Sequence, residues 1–190
     1  MFGLNNFAMK RRNILLTAAI IAIAGVTGFV YSCKSVKVPD GITVVKDFKI
    51  EPYMGTWYEI ARFDFKHEKD LSNVTATYSL NDNGTVKVVN RGYNYVKDRW
   101  EQANGKATFV DKTNEGALKV SFFGPFYAGY NVVLMQPDYE NALIFGEKKD
   151  YIWILSRNKT IPNNVKEQFL KEAEKAGYDL SRLVWTKHDK

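Results

Sequence analysis

What most limits the fold of this chain is a train of short β-rich runs, broken by turn residues, between Gly55 and Ser156. Its clearest joint is Asn81-Asp82-Asn83-Gly84, set between the runs Val74 to Leu80 and Thr85 to Tyr93. An Asn-Gly pair in such a place supplies the positive φ that a tight hairpin needs. Further runs follow at Trp100 to Val110, Ala117 to Phe123, Tyr127 to Met135, Ala142 to Glu147 and Tyr151 to Ser156, and Gly55 to Phe63 brings the count to eight. Gaps of hairpin length with no helix between them predict an antiparallel up-and-down meander, which loses its open edges by closing into a barrel.

One helix is expected after the strands. Val165, Phe169, Leu170 and Ala173 fall on one face at helical spacing, Asn164 with Glu167 has the pattern of a capping box, and Gly177 suits a C-terminal stop. A solitary amphipathic helix must bury its stripe somewhere, and the outside of the barrel is the available surface. Leu180 to Thr186 then reads as a short closing strand. The fold class is therefore all-β: an eight-stranded antiparallel up-and-down barrel with one C-terminal α-helix packed outside.

The N-terminal stretch has a different character. Met9-Lys10-Arg11-Arg12 opens a positive region, and Ile14 to Val30 follows without a charge until Tyr31-Ser32-Cys33. This is the layout of an export signal. Its length also borders on that of a membrane span, so an uncleaved anchor and plain secretion stand as alternatives. Cys33, the only cysteine, lies directly after a small residue at the end of the run. The ending Val30-Tyr31-Ser32-Cys33 resembles a bacterial lipobox, apart from Tyr31, and implies that Cys33 is lipidated and becomes the mature N-terminus. Such a mature chain has no free thiol for a disulfide, a nucleophile or a metal. Lys34 after the cysteine favours the outer membrane, with inner-membrane anchoring or a periplasmic location as alternatives. Three segments result: residues 1–33 as signal segment, 34–52 as polar tether and lead-in, and 53–190 as the barrel domain.

Charge excludes one function class. The chain of 190 residues carries a formal charge of +6, part of it from Lys10, Arg11 and Arg12. The remaining basic residues alternate with acids, so nucleic acid is not expected as a partner, since that needs a clustered basic face. His67 and His188 are too few and too far apart for a metal site, and no metal or cofactor is expected. Glu59, Asp64 and Glu68 stand near the first run without a nucleophile beside them, and solvated or turn-forming roles are expected; no catalytic residue is assigned.

The Gly55-Thr56-Trp57-Tyr58-Glu59-Ile60-Ala61-Arg62 segment matches the Gly-x-Trp signature of lipocalins. Asp138-Tyr139 stands where that family has its Thr-Asp-Tyr turn, with Pro137 replacing the threonine, and Arg157 occupies the third motif. The runs Gly55 to Phe63, Val74 to Leu80, Leu118 to Phe126 and Tyr151 to Arg157 look like the bacterial outer-membrane lipocalins related to apolipoprotein D. The resemblance covers residues 53 to 187. It implies a barrel sealed at one end, with Gly55 letting the chain enter tightly, Trp57 as plug and Arg157 stacked on the indole. These three are expected to be structural.

Strand periodicity of two selects the inward side chains. Val86 and Val88 oppose Lys87, Leu118, Val120 and Phe122 oppose Lys119 and Ser121, and Tyr130, Val132 and Leu134 oppose Asn131. Arg157 as plug partner sets Tyr151, Trp153 and Leu155 inward, and Ala76, Tyr78 and Phe109 continue the lining. The first and seventh strands are left unassigned. This set is apolar and aromatic and holds no charged residue. A barrel of eight strands either fills itself or encloses one small ligand; the resemblance and the small Ala76 favour a cavity. The expected ligand site is Ala76, Tyr78, Val88, Phe109, Val120, Phe122, Tyr130, Val132, Leu134, Tyr151 and Trp153.

Such walls suit an acyl chain whose head group stays wet at the mouth, so a fatty acid or lysophospholipid is the expected ligand. A bilin or porphyrin is the alternative, and a barrel enzyme acting on lipid a more distant one. Phe123 points outward if Phe122 points inward, and with Phe126 it offers a self-association surface, so a weak homodimer is expected.

Overall fold

The computed structural model describes residues 36–190, so Cys33 and the signal segment lie outside the described residues. Eight strands follow one another: β1 (Gly55–Phe63), β2 (Leu71–Leu80), β3 (Val86–Asn94), β4 (Arg99–Phe109), β5 (Ala117–Phe123), β6 (Phe126–Met135), β7 (Asn141–Gly146) and β8 (Ile152–Ser156). Each pairs antiparallel with the next, and β1 pairs with both β8 and β2, which closes the barrel. The seam with β2 runs from Gly55↔Tyr78 to Tyr58↔Thr75. Beyond it the C-terminal half of β1 is joined by β9 (Leu183–Trp185), after the single 3₁₀ turn Leu180–Arg182.

The pleat divides the apolar residues into two sets. Trp57, Ala76, Tyr78, Val86, Val88, Ala107, Leu118, Val132, Ile144 and Leu155 form a cluster inside the barrel. Ile60, Phe63, Leu143, Phe145 and Ile154 form another outside, covered by helix α2 (Asn163–Lys175) through Val165, Phe169 and Ala173. For the helix start the capping-box expectation is corrected. Pro162 takes the cap position with no side-chain bond, and the Lys166 N–H donates to its carbonyl at 2.9 Å. Asn164 is already inside the first turn, where its side chain cannot serve the free N–H groups behind it. The other end behaves as expected. Gly177 has φ +80, its N–H reaches Glu174 O at 2.8 Å, and the Tyr178 N–H reaches Ala173 O at 3.0 Å. This reciprocal pair satisfies two of the last carbonyls.

Two bulges reset which residues face inward. In β6 the pairing Val132↔Ile144 is followed by Leu134↔Leu143, leaving Val133 as an extra residue. Val133 and Leu134 both turn to the outer cluster, and Met135 returns to the interior. The inward placement of Leu134 is therefore corrected: one inserted residue inverts the parity of everything after it. In β1 the register shifts between Glu59 and Ala61, so Ile60 and Ala61 both face outward. The pattern then sets Glu59 and Arg62 inward with Trp57.

The segment before β1 is packed on the barrel rather than free. The Val45 N–H donates to Val132 O at 2.9 Å, the Gly116 N–H to Val45 O at 2.8 Å, and the Phe48 N–H to Asn114 O at 3.0 Å. Val44 and Phe48 are buried, and the one-turn helix α1 (Ile50–Tyr53) delivers Tyr53 to the interior cluster.

Candidate functional site

The barrel interior has a floor, walls and a mouth, and each is made by a different kind of residue. At the floor Trp57 is 0% exposed, and its indole N–H donates to Tyr53 O at 2.9 Å. The Arg157 guanidinium lies 3.8 Å from the ring centre of Trp57 and donates to Thr56 O (2.9 Å), Pro52 O (2.7 Å) and Met54 O (2.8 Å). Gly55 is needed here: its φ of +93 is left-handed, and an added Cβ would stand 3.4 Å from Arg157 Nη1. The cation–π stack and the carbonyl fork together tie the start of β1 to the end of β8.

Above the floor three phenols meet. Tyr53 and Tyr130 hydroxyls are 2.6 Å apart, and those of Tyr78 and Tyr130 are 3.0 Å apart. Burial pushes Tyr78 up to about 12 and raises Tyr53 and Tyr130 well above the ordinary phenol range, so all three stay neutral.

The walls come from the middle strands. Ala76, Tyr78, Val88, Phe109, Val120, Phe122, Tyr130, Val132 and Trp153 all belong to or pack on the interior cluster, as expected. Phe109, Val120, Phe122, Tyr130 and Trp153 remain only partly covered, although their side chains point inward. Residues between the outer helix and the barrel, by contrast, are sealed: Phe145 of β7 and Phe169 of α2 are buried. Tyr151 lies at the rim, stacked with Trp153 at 6.1 Å between ring centres. Leu134 is not part of this constellation.

At the mouth the loop between β1 and β2 brings in residues that strand periodicity did not reveal. Arg62 and Trp153 are paired across β1 and β8. Arg62 is 1% exposed and donates to Glu59 Oε1 at 2.7 Å, to Asp64 Oδ1 at 3.2 Å and to Glu68 O at 2.7 Å. Glu68 accepts from the Trp153 indole N–H at 3.0 Å. Burial, and next the charge of Glu59, push the Glu68 carboxyl up to about 8, against the downward pull of Trp153 and Arg62. Phe65 meets Tyr151 and Trp153 edge to face. Two expectations change here. The interior does hold charged residues: Glu59 is buried and the Glu68 side chain is largely covered, and both are held in a network rather than solvated. The Glu59-Ile60-Ala61-Arg62 spacing carried one signal, since a bulge lets both polar residues share a face. Glu68 had none, because only the loop's path brings it to Trp153.

A family model described as a lipocalin-like domain matches residues 48–188. The chain is 48% identical over 166 residues to the outer membrane lipoprotein Blc of Escherichia coli K12, covering 87% of this chain and 94% of that protein. Bovine apolipoprotein D is 34% identical over 127 residues, with 63% and 66% of the two chains covered. The solved structure of insecticyanin from the tobacco hornworm Manduca sexta superposes with a TM-score of 0.64 at 21% identity, covering 79% of this chain and 86% of that one. That last likeness concerns the fold alone.

Proposed function

This chain belongs to the lipocalin family, and on that footing we propose that it is a carrier or store for a single-chain lipid, a fatty acid or lysophospholipid, held in the barrel for maintenance of a bacterial envelope. The observation that carries the reading is the set of inward aromatic and aliphatic side chains left partly uncovered above a sealed floor. Acyl hydrocarbon against Val120, Phe122, Val132 and Trp153 gains roughly 0.8 kcal/mol per buried methylene, and it asks for no polar partner along its length. The ligand residues in this reading are Ala76, Tyr78, Val88, Phe109, Val120, Phe122, Tyr130, Val132, Tyr151 and Trp153. Binding rather than catalysis is favoured because Glu59 and Glu68 are engaged by Arg62 and Trp153.

The protein is assigned to the outer membrane, as the name of its bacterial relatives indicates, with acylation of Cys33 as the proposed anchor. Multiple acyl chains hold a protein on a membrane where one does not. A weak homodimer is proposed through Phe123 and Phe126, which are 71% and 77% exposed at the β5–β6 turn. Native mass spectrometry of the purified protein before and after organic extraction tests the carrier reading. A stoichiometric mass loss matching an extracted lipid is expected, and a barrel that neither carries nor takes up any acyl compound would refute it.

A further inference from the structure

Three carboxylates and one guanidinium meet at the mouth of the barrel, and the guanidinium is nearly used up. Arg62 Nη1 donates to Glu59 Oε1 (2.7 Å) and Thr186 Oγ1 (3.2 Å), and Nη2 to Asp64 Oδ1 (3.2 Å), Glu68 O (2.7 Å) and Leu71 O (3.4 Å). Among the described residues only Nε has no hydrogen-bond partner, and it stands 3.8 Å from Glu68 Oε2. An incoming carboxylate therefore finds no free guanidinium fork to bind. Glu68 is the member in surplus. Its side chain is 13% exposed, it is fastened to the binding wall by the Trp153 N–H at 3.0 Å, and its nearest cation is already shared with Glu59 and Asp64.

We propose that Glu68, in its ionised form, sets the charge of the head group that the barrel accepts, favouring cationic and uncharged single-chain amphiphiles over carboxylates. The inference rests on the acyl-binding reading and narrows it. A carboxylate head drawn up beside Trp153 meets Glu68 and, behind it, Glu59, at a depth where water screens repulsion weakly. An ammonium head there supplies the missing counter-charge. Its other walls are the rings of Phe65, Tyr151 and Trp153, whose centres lie 5.3 to 6.1 Å apart, a setting that attracts cations through the ring faces. Lys66, Lys69 and Lys148 on the neighbouring loops are exposed, so their pull on an anion is weakened by water and salt.

Displacement of a fluorescent acyl probe by decyltrimethylammonium, decanol and decanoate at pH 9, where Glu68 is ionised, tests this. In the wild-type protein the cation is expected to bind at least about tenfold more tightly than decanoate, the range of a desolvated cation–π and charge contact, with decanol between them. Glu68→Gln keeps an oxygen for the Trp153 N–H and should bring the cation and the anion to within about twofold of each other, leaving decanol unchanged. Decanoate binding as tightly as the cation to the wild type overturns the proposal, and so does an undiminished preference in Glu68→Gln. The wild-type ranking alone decides should the variant fold poorly. Failure of decanol to bind either protein would bring down the acyl-cavity reading itself, which separates the two ideas.

Discussion

Truncation of Arg157 to alanine should cost stability without costing ligand affinity. The side chain makes three short bonds to the carbonyls of Pro52, Met54 and Thr56 and covers the Trp57 ring at 3.8 Å. Those carbonyls lie near the surface and can recruit water once the guanidinium is gone, so each bond is worth about 0.5–1 kcal/mol rather than the full value for a charged donor. The lost cation–π contact adds about 1 kcal/mol. The sum is about 3 kcal/mol, a large part of the roughly 5–15 kcal/mol that holds a domain folded. In urea unfolding followed by tryptophan fluorescence the midpoint should fall by about 1–2 M with an unchanged slope. Arg157→Lys should recover less than half, because an ammonium keeps the charge but loses the planar fork. Affinity for a fluorescent fatty acid should stay within about twofold, since Arg157 lies beyond Trp57 and away from the ligand. Destabilisation below about 1 kcal/mol, or an affinity loss larger than that of Trp153→Ala, would refute the assignment of Arg157 to the floor.

Trp153→Ala should weaken binding of the same probe by roughly 1–3 kcal/mol through lost apolar contact, and Val132→Glu should weaken it further by placing an unpaired carboxylate against hydrocarbon; unchanged affinity in both would put the site elsewhere. Glu68 makes stability depend on pH: with its carboxyl raised to about 8 in the folded chain, the folded form holds a proton that the unfolded form gives up near pH 4.5, so stability falls as pH climbs through that window and levels off above it. Thermal unfolding of the wild type should show this decline between pH 6 and 8.5, and Glu68→Gln should flatten it and melt higher at pH 9. Phe123→Asp should shift sedimentation toward the monomer, and an unaltered profile would remove Phe123 from the dimer surface. Cys33→Ser should release the chain from membranes; continued membrane fractionation of a cleaved product would mean another anchor.

Much of this architecture is local in origin and so could be read along the chain. A strand of period two between turn residues forms wherever it lies, which is why β1 and β5 are found at their expected bounds and Asn83-Gly84 turns the β2–β3 hairpin. The same period placed Val88, Val120, Phe122 and Trp153 inside, because charged or polar residues alternate with several of them. The motif residues Gly55, Trp57 and Arg157 were legible for their residue types, although the stack itself joins strands a hundred residues apart.

Tertiary structure decided what the chain could not announce. At Val132-Val133-Leu134-Met135 every residue is apolar, so nothing in the pattern marks the bulge that turns Leu134 to the helix. Phe48 looks like a linker residue until the chain crosses the closed end and it enters the core. The mouth was hidden most completely: Glu68 lies on a loop, where periodicity says nothing, and its meeting with Trp153 depends on barrel closure bringing together residues 85 positions apart. Local sequence could determine elements and faces because backbone sterics and the pleat act over a few residues; register shifts and the buried charge at the mouth arise from closure, which only the whole barrel imposes.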